Sequence, residues 1–493
     1  MTRTRMPSGG GKAREGLPVL RERRTNPGVL GMRKTVLLVT TDYPPLAGTN
    51  TRRVESFARY LPEYDWTPLV LTLAIEDMAL IESSWVSDGA VETERVRTPG
   101  LQPLVRRLRG QRPRRTKEGE DDAGDGTDGA AHGEGAVWRT ALGAVWGLVV
   151  ALERASYVPD PRRLWSAAAS RAALRLAAKR RIDAVVTSSP PFSAHFVGMR
   201  LQRRLGIPWV ADLRDLWVGR PYRFLPYRWQ HHLDAVYESR VIGRADRLSF
   251  ASPGWVPVFQ RRYGSGVAEK ITIITNGFDA AMLESNPVRA PARGRGERTR
   301  PITMAYTGAL HEGESPWPLI HALARVAEQA GAERVRSGFQ LRFMGPGDAD
   351  WDGPRAYLRE RGLDGVMRFL GTRSHAESLA EQRGADVLLI LSAPPHDETI
   401  RGKSFEYMAT GKPIFALLPE GSTQAEILEP SGLATIVPYG DVERSARVLA
   451  GYLESGVPVV RANWEYIKTF DRRNLAGALA AVLDGCVGTA GTG

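Results

Sequence analysis

Residues 34–48 read Lys-Thr-Val-Leu-Leu-Val-Thr-Thr-Asp-Tyr-Pro-Pro-Leu-Ala-Gly, and a helical pattern follows at 52–61. The apolar run at 34–41 is continuous rather than alternating, so both of its faces need cover. That is the pattern of a parallel strand lying between layers of helices. The same unit recurs along the chain, with strand-like runs at 68–73, 182–187, 208–211, 247–251 and 271–275. After an Arg/Pro/Gly-rich stretch at 288–301 it restarts, at 302–306, 339–344, 367–370, 387–391, 414–418 and 434–437. Two successive βα series predict an α/β protein with two doubly wound domains facing a cleft. The expected division is a basic arm at 1–32, a first domain at 33–280, a second at 281–465, and a C-terminal helix and tail at 466–493. That helix is expected to pack back on the first domain.

The chain has 493 residues, 42% hydrophobic and 25% charged, which is ordinary globular composition with room for more than one core. A single cysteine, Cys486, excludes an internal disulfide and a cysteine-based zinc cluster, and fits a reducing compartment. Of the formal net charge of +12, more than half is contributed by residues 1–34, where nine basic side chains face only Glu15 and Glu22. An arm of this composition is expected to be disordered, a solvated tail in the first reading and a contact for an anionic membrane surface in the second. No apolar stretch follows it, so it does not read as a secretory signal. Residues 141–152 form the most apolar segment, too short to span a bilayer and closed by Arg139 and Glu153. Residues 109–136, basic, then acidic, then Gly/Ala-rich, read as a disordered insertion in a loop, in which His132 is solvated. The expected location is the cytoplasm, at the inner face of the membrane if the arm binds there.

In the first domain the Tyr43-Pro44-Pro45 loop places Gly48 at the C-terminal edge of the sheet, where open α/β sheets bind ligands. Two further segments, Thr187 to His195 and Ile207 to Trp217, follow strands and reach the same edge. In the second domain, Pro394 and Pro395 force a loop after the strand at 387–391, and Gly411-Lys412-Pro413 ends the next helix. Glu398 then lies in the loop, Glu406 about a turn into the helix, and Arg401 and Lys403 flank a helix N-terminus that suits an anion.

These segments resemble the family 4 retaining glycosyltransferases of the GT-B fold, in particular a subgroup linked to bacterial surface polysaccharides. The resemblance rests on Tyr-Pro-Pro and Gly48 before a helix, Ser189-Pro190-Pro191, Asp212-Leu213-Arg214-Asp215, Asn276-Gly277-Phe278-Asp279 and the pair Glu398 and Glu406, which is similar to the family's E-x7-E motif. It implies two Rossmann-like domains, a nucleotide-sugar donor as substrate, and a glycan or lipid-linked acceptor. It also implies that Gly48, Gly308, Ser404, Phe405 and Glu406 bind the donor, Glu406 through its ribose. Glu398, Arg401 and Lys403 would serve the transfer, and His195, Arg214 and Asp215 would lie on the acceptor side. The chemistry implied is transfer with retention, independent of metal and without a cofactor.

The chain departs from the family pattern at two places. Between Tyr306 and Ser315, where many relatives carry an Arg and a Lys, no cation occurs, and Arg401 and Lys403 are the substitutes at hand. Arg214-Asp215 stands where relatives often have His-Asp, and an arginine does not act as a general base. Asp348 and Asp350 match a metal-binding pair of the other large glycosyltransferase fold but follow a Gly-Pro-Gly turn and read as structural. No metal spacing and no nucleic-acid-binding motif accompanies the basic arm. A non-catalytic nucleotide-sugar binder of an assembly complex, or a GT-B epimerase, are the alternative readings.

Overall fold

The computed structural model describes residues 33–46, 51–78, 80–81, 91–99, 114–115, 158–219, 225–280, 300–310, 314–346, 351–394 and 398–490. The arm at 1–32, the insertion at 109–136 apart from Arg114 and Arg115, the apolar segment at 141–152, Gly48, His311, Asp348 and Asp350 lie outside the described residues; Arg114 and Arg115 pair in parallel with Leu80 and Ile81.

Lys34 to the C-terminus forms one compact unit built on two parallel sheets. The first contains β1 (Lys34–Val39), β2 (Trp66–Leu73), β3 (Glu92–Val96), β4 (Ala184–Ser189), β5 (Trp209–Leu213), β6 (Arg247–Phe250) and β7 (Ile271–Ile273). Their spatial order is β3-β2-β1-β4-β5-β6-β7. The second contains β8 (Ile302–Thr307), β9 (Phe339–Met344), β10 (Met367–Phe369), β11 (Val387–Leu391), β12 (Ile414–Leu418) and β13 (Ala434–Pro438), in the order β10-β9-β8-β11-β12-β13. Every pairing in both sheets is parallel. Strand order reverses between β1 and β4 and again between β8 and β11, which are the switch points where such sheets open a crevice.

The first domain carries α1 (Thr51–Tyr60), α2 (Arg163–Lys179), α3 (His195–Leu205), α4 (Arg228–Arg244) and α5 (Trp255–Tyr263). The second carries α6 (Trp317–Ala330), α7 (Ala332–Gly338), α8 (Asp352–Glu360), α9 (His375–Gly384), α10 (Lys403–Thr410), α11 (Thr423–Leu428), α12 (Val442–Ser455) and α13 (Trp464–Lys468). The chain ends in α14 (Arg472–Ala490). On one face of the first sheet, α2 to α5 bury Trp165, Leu201, Val241 and Phe259 against Leu37 and Val39. On the other face, α1 and α14 pack Phe57, Leu479 and Leu483 against Val36 and Leu38. The last helix therefore completes the first domain. The second sheet is covered in the same way, by Leu319, Leu323 and Leu449 on one face and by Phe405, Met408 and Ile427 on the other.

The continuous apolar runs form the buried strands expected of them, with ends differing by one to two residues at most positions. Strand β3 escapes that reading: Glu92-Thr93-Glu94-Arg95-Val96 is largely charged because it pairs with β2 alone, at the edge of the sheet. Charged edge strands discourage pairing with a second molecule. The chain leaves the first domain and returns to it side by side: Phe278 N–H donates to Phe470 O at 3.2 Å, and Arg472 N–H to Phe278 O at 2.9 Å.

Candidate functional site

The loop after β11 meets the first domain before it starts α10. Ser252, just past β6, donates its hydroxyl to the carbonyl of Glu398 at 2.5 Å. Gly254 is needed there, because a Cβ would stand 2.2 Å from Thr423 Oγ1 and 2.9 Å from the Glu398 backbone. The C-terminal edges of the two sheets thus come together at Glu398, which is half-buried.

Helix α10 begins at Lys403 with Gly402 as a cap that offers no side-chain acceptor, and the Ser404 and Phe405 amides turn back onto the carbonyls of Arg401 and Gly402 at 3.0 and 3.3 Å. The Lys403 side chain lies under the turn that ends β8. Its amine sits 3.6 Å from the centroid of the Tyr306 ring and has no hydrogen-bond partner among the described residues. Gly308, with φ +103°, makes this approach possible, since a Cβ would stand 3.3 Å from the amine. Burial pulls the Lys403 pKa down to about 7, opposed by the charges of Glu314 and Glu406 and assisted by Arg401. The hydroxyl of Ser404, at the next position, is also buried without a partner among the described residues. A sealed cation and a sealed hydroxyl at an uncapped helix start form a site shaped for an oxyanion.

Glu406 lies one residue short of a full turn further on. It accepts from His375 Nε2 at 3.0 Å and from Gln382 Nε2 at 3.3 Å. Burial opposes its ionisation, yet His375, Arg472 and Gln382 hold its carboxyl below the ordinary glutamate range. Gln382 also donates to Thr307 Oγ1 at 3.1 Å, and Tyr407 receives the Thr307 N–H at 2.8 Å, so α9, α10 and β8 are held in one network. His375 and Gln382 were not singled out in the sequence. The one signal was the capping box of Ser374 and Glu377, which fixes the start of α9 and so delivers His375 to Glu406.

Four residues depart from the expectation. Arg401 is buried and its guanidinium pairs with Glu314, whose side chain is fully buried, so its charge is committed within the protein. Phe405 turns away from the site into the core, 5.0 Å from Phe470, because it occupies the buried face of α10. His195 is fully buried, shares a 2.7 Å hydrogen bond with Thr187 and stacks on Trp217. Burial pulls its pKa down to about 3, so it is a neutral core imidazole and not an acceptor contact. Arg214 is also buried, pairing with Asp42 at 2.8 Å and donating to Ser189 O at 3.1 Å. It ties the Tyr-Pro-Pro loop to the Ser-Pro-Pro loop, and its charge is met by Asp42. Asp215 is half-buried beside it.

Beneath this edge lies a third buried ion pair, whose pairing no sequence signal marked. Arg53 on α1 holds Asp212 on β5 through two contacts, of 2.7 and 3.0 Å, and caps the carbonyls of Ile274 and Thr275. Ser188 and Ser249 complete the carboxylate's partners. Burial disfavours the Asp212 charge, but Arg53 and the two hydroxyls more than offset it, and its pKa is lowered.

Comparison with known proteins agrees with this architecture. Residues 126–281 match Glycosyltransferase Family 4. A D-inositol 3-phosphate glycosyltransferase of Corynebacterium efficiens is 26% identical over 249 residues, 50% of this chain and 57% of the relative. One from Corynebacterium glutamicum is 25% identical over 41% of this chain and 51% of its own length. The chain thus spans about half the length of these curated relatives. Among solved structures, the sucrose-phosphate synthase of Thermosynechococcus elongatus superposes with a TM-score of 0.52 at 16% identity, covering 92% of this chain and 96% of that one. Anabaena HepE in complex with UDP gives 0.53 at 15% identity, over 93% of this chain and 100% of HepE. Residues 126–281 are thus similar to the Glycosyltransferase Family 4 model, and the chain is built as two Rossmann-like domains in the manner of the GT-B fold.

Proposed function

We propose that the protein is a glycosyltransferase that moves a sugar from a nucleotide-activated donor to an acceptor hydroxyl, with retention and without metal or cofactor. The observation that carries this reading is the buried Lys403 amine at the start of α10, which has no hydrogen-bond partner among the described residues, with Glu406 less than a turn away. A donor pyrophosphate on that helix start meets the side chains of Lys403 and Ser404. Glu406 takes the ribose hydroxyls, and Glu398, where the two domains touch, lies beside the transferred sugar. As the nucleoside diphosphate departs, charge grows on its leaving oxygen, and groups already aimed at that oxygen lower the barrier. A phosphate oxygen then takes the acceptor proton on the face the leaving group vacates, which retains configuration. The acceptor, a glycan or a lipid-linked one, enters from the first domain past Asp215. The reaction is placed in the cytoplasm, at the inner face of the membrane for a lipid-linked acceptor.

The test incubates the full chain with a panel of nucleotide sugars and acceptors, inositol phosphates among them, and follows sugar transfer by mass spectrometry. Transfer that survives EDTA and collapses in Lys403→Met supports the reading. Nucleotide binding without transfer to any acceptor would make the protein a binder, and release of an altered nucleotide sugar would make it an epimerase.

A further inference from the structure

Helices α2, α3 and α4 lie side by side over one face of the first sheet, on the same core. Phe196 of α3 packs edge-on against Tyr237 of α4 at 5.0 Å, and Arg163 of α2 lies 5.6 Å over the same ring. Gln202 of α3 reaches the carbonyl of Arg244 at the end of α4 at 2.8 Å. The outer surface of this layer is of one sign. On α2, Arg171, Arg175 and Lys179 are exposed at four-residue spacing, one above another. On α3, Arg200, Arg203 and Arg204 are exposed together, and Arg240 and Arg244 continue the surface on α4. Helices α2 and α3 contain no acidic residue, and the two on α4, Asp234 and Glu238, are buried, bonded to Trp217 and to the Val218 amide.

Apolar side chains are exposed on the same three helices or their caps. Six large apolar residues are exposed among the described residues, and four of them, Leu164, Leu205, Tyr227 and Trp229, belong to these helices or their caps. Between the arginines of α3 runs a groove of about 410 Å³ lined by Phe196, Met199, Arg200, Arg203 and Arg204. A nucleic acid would use the cations for its phosphates and the exposed rings for its bases, but it would leave Leu164 and Leu205 without a partner. Cations interleaved with exposed tryptophan, tyrosine and leucine match an interface that is anionic above and apolar below.

We infer that the outer face of α2, α3 and α4 docks on an anionic lipid bilayer, with a headgroup phosphate seated among Arg200, Arg203 and Arg204 and its first methylenes on Phe196 and Met199. This surface belongs to the folded domain and is separate from the N-terminal arm. Neither docking nor the groove requires the proposed transfer reaction.

The experiment is sedimentation of the full chain, arm included, with phosphatidylcholine vesicles alone or with about a third phosphatidylglycerol, each basic residue near such a surface contributing about 1 kcal/mol or fivefold. Removing three charges in Arg200→Gln/Arg203→Gln/Arg204→Gln should weaken binding to the anionic vesicles at least tenfold, with circular dichroism and melting unchanged. Binding at the wild-type level would overturn the inference and leave the arm as the membrane contact. If the triple variant melts early, Leu205→Ser/Trp229→Ser supplies the readout: it should lose the binding that persists when salt is raised, because that part is apolar. Undiminished binding of that variant, with equal capture of duplex DNA by the wild type, would make the face a general polyanion surface and overturn the assignment to lipid.

Discussion

The Lys403 amine is the most consequential single group in the molecule. Its pKa of about 7 means that at pH 8 it is mostly neutral in the free protein. A diphosphate placed beside it favours the charged form, so binding at pH 8 should take up most of one proton, and affinity should improve as pH falls towards 7. Calorimetry in two buffers of different ionisation enthalpy measures that uptake, and zero uptake would move the phosphates off Lys403. Glu406 makes a separate prediction. Held ionised by His375 and Gln382, it is ready to accept from ribose hydroxyls. Glu406→Ala should weaken nucleoside diphosphate binding by about 1–3 kcal/mol, as expected for a hydrogen bond to a charged group, with the fold intact. A titration returning the wild-type dissociation constant would exclude the ribose role. Glu406 was legible in the sequence because its loop and helix are punctuated by prolines and glycines. Its partners were not, because His375 and Gln382 stand more than twenty residues away and meet it only once α9 packs on α10.

At the scale of elements, the start of α10 depends on the ion pair between Arg401 and Glu314. Arg401 stands in the loop leading to the helix, and Glu314 lies at the end of the loop after β8, so the pair fastens together the two loops that frame the site. Removing one partner of a buried pair strands the other charge, which typically costs 3–5 kcal/mol. Arg401→Ala should therefore lower the melting temperature markedly, while Arg401→Met/Glu314→Leu should recover most of the loss, because the stranded carboxylate is gone. A single variant that melts like the wild type would show that the pair is not closed in solution. The sequence presented Arg401 as a free cation next to a helix start, for a physical reason: charge at a helix terminus is visible in one segment, whereas neutralisation by a residue 87 positions away is not.

For the molecule as a whole, the C-terminal helix α14 is the clasp. It starts with Arg472, which faces Glu406 in the second domain, and ends against β1 and β2, where Lys34 reaches Asp484 at 2.7 Å. Leu483 is fully buried between α1 and β1, so Leu483→Ala should cost about 2–5 kcal/mol. Denaturant unfolding should show that loss in the first domain, and unchanged stability there would mean that α14 detaches in solution. The sequence by itself determined the two parallel sheets, because a strand buried on both faces must be apolar throughout, and that pattern survives in one dimension. It also fixed the position of the loop carrying Glu398 and of the helix carrying Lys403 and Glu406, through local turn and capping chemistry. Only the tertiary structure decided which charges are spent. Arg401, Arg214 and Arg53 are satisfied by Glu314, Asp42 and Asp212, and His195 is held neutral in the core, while Lys403 has no hydrogen-bond partner among the described residues. Whether a charged side chain is bound or available depends on groups brought from distant segments and on the loss of water around it, and neither is written in local sequence.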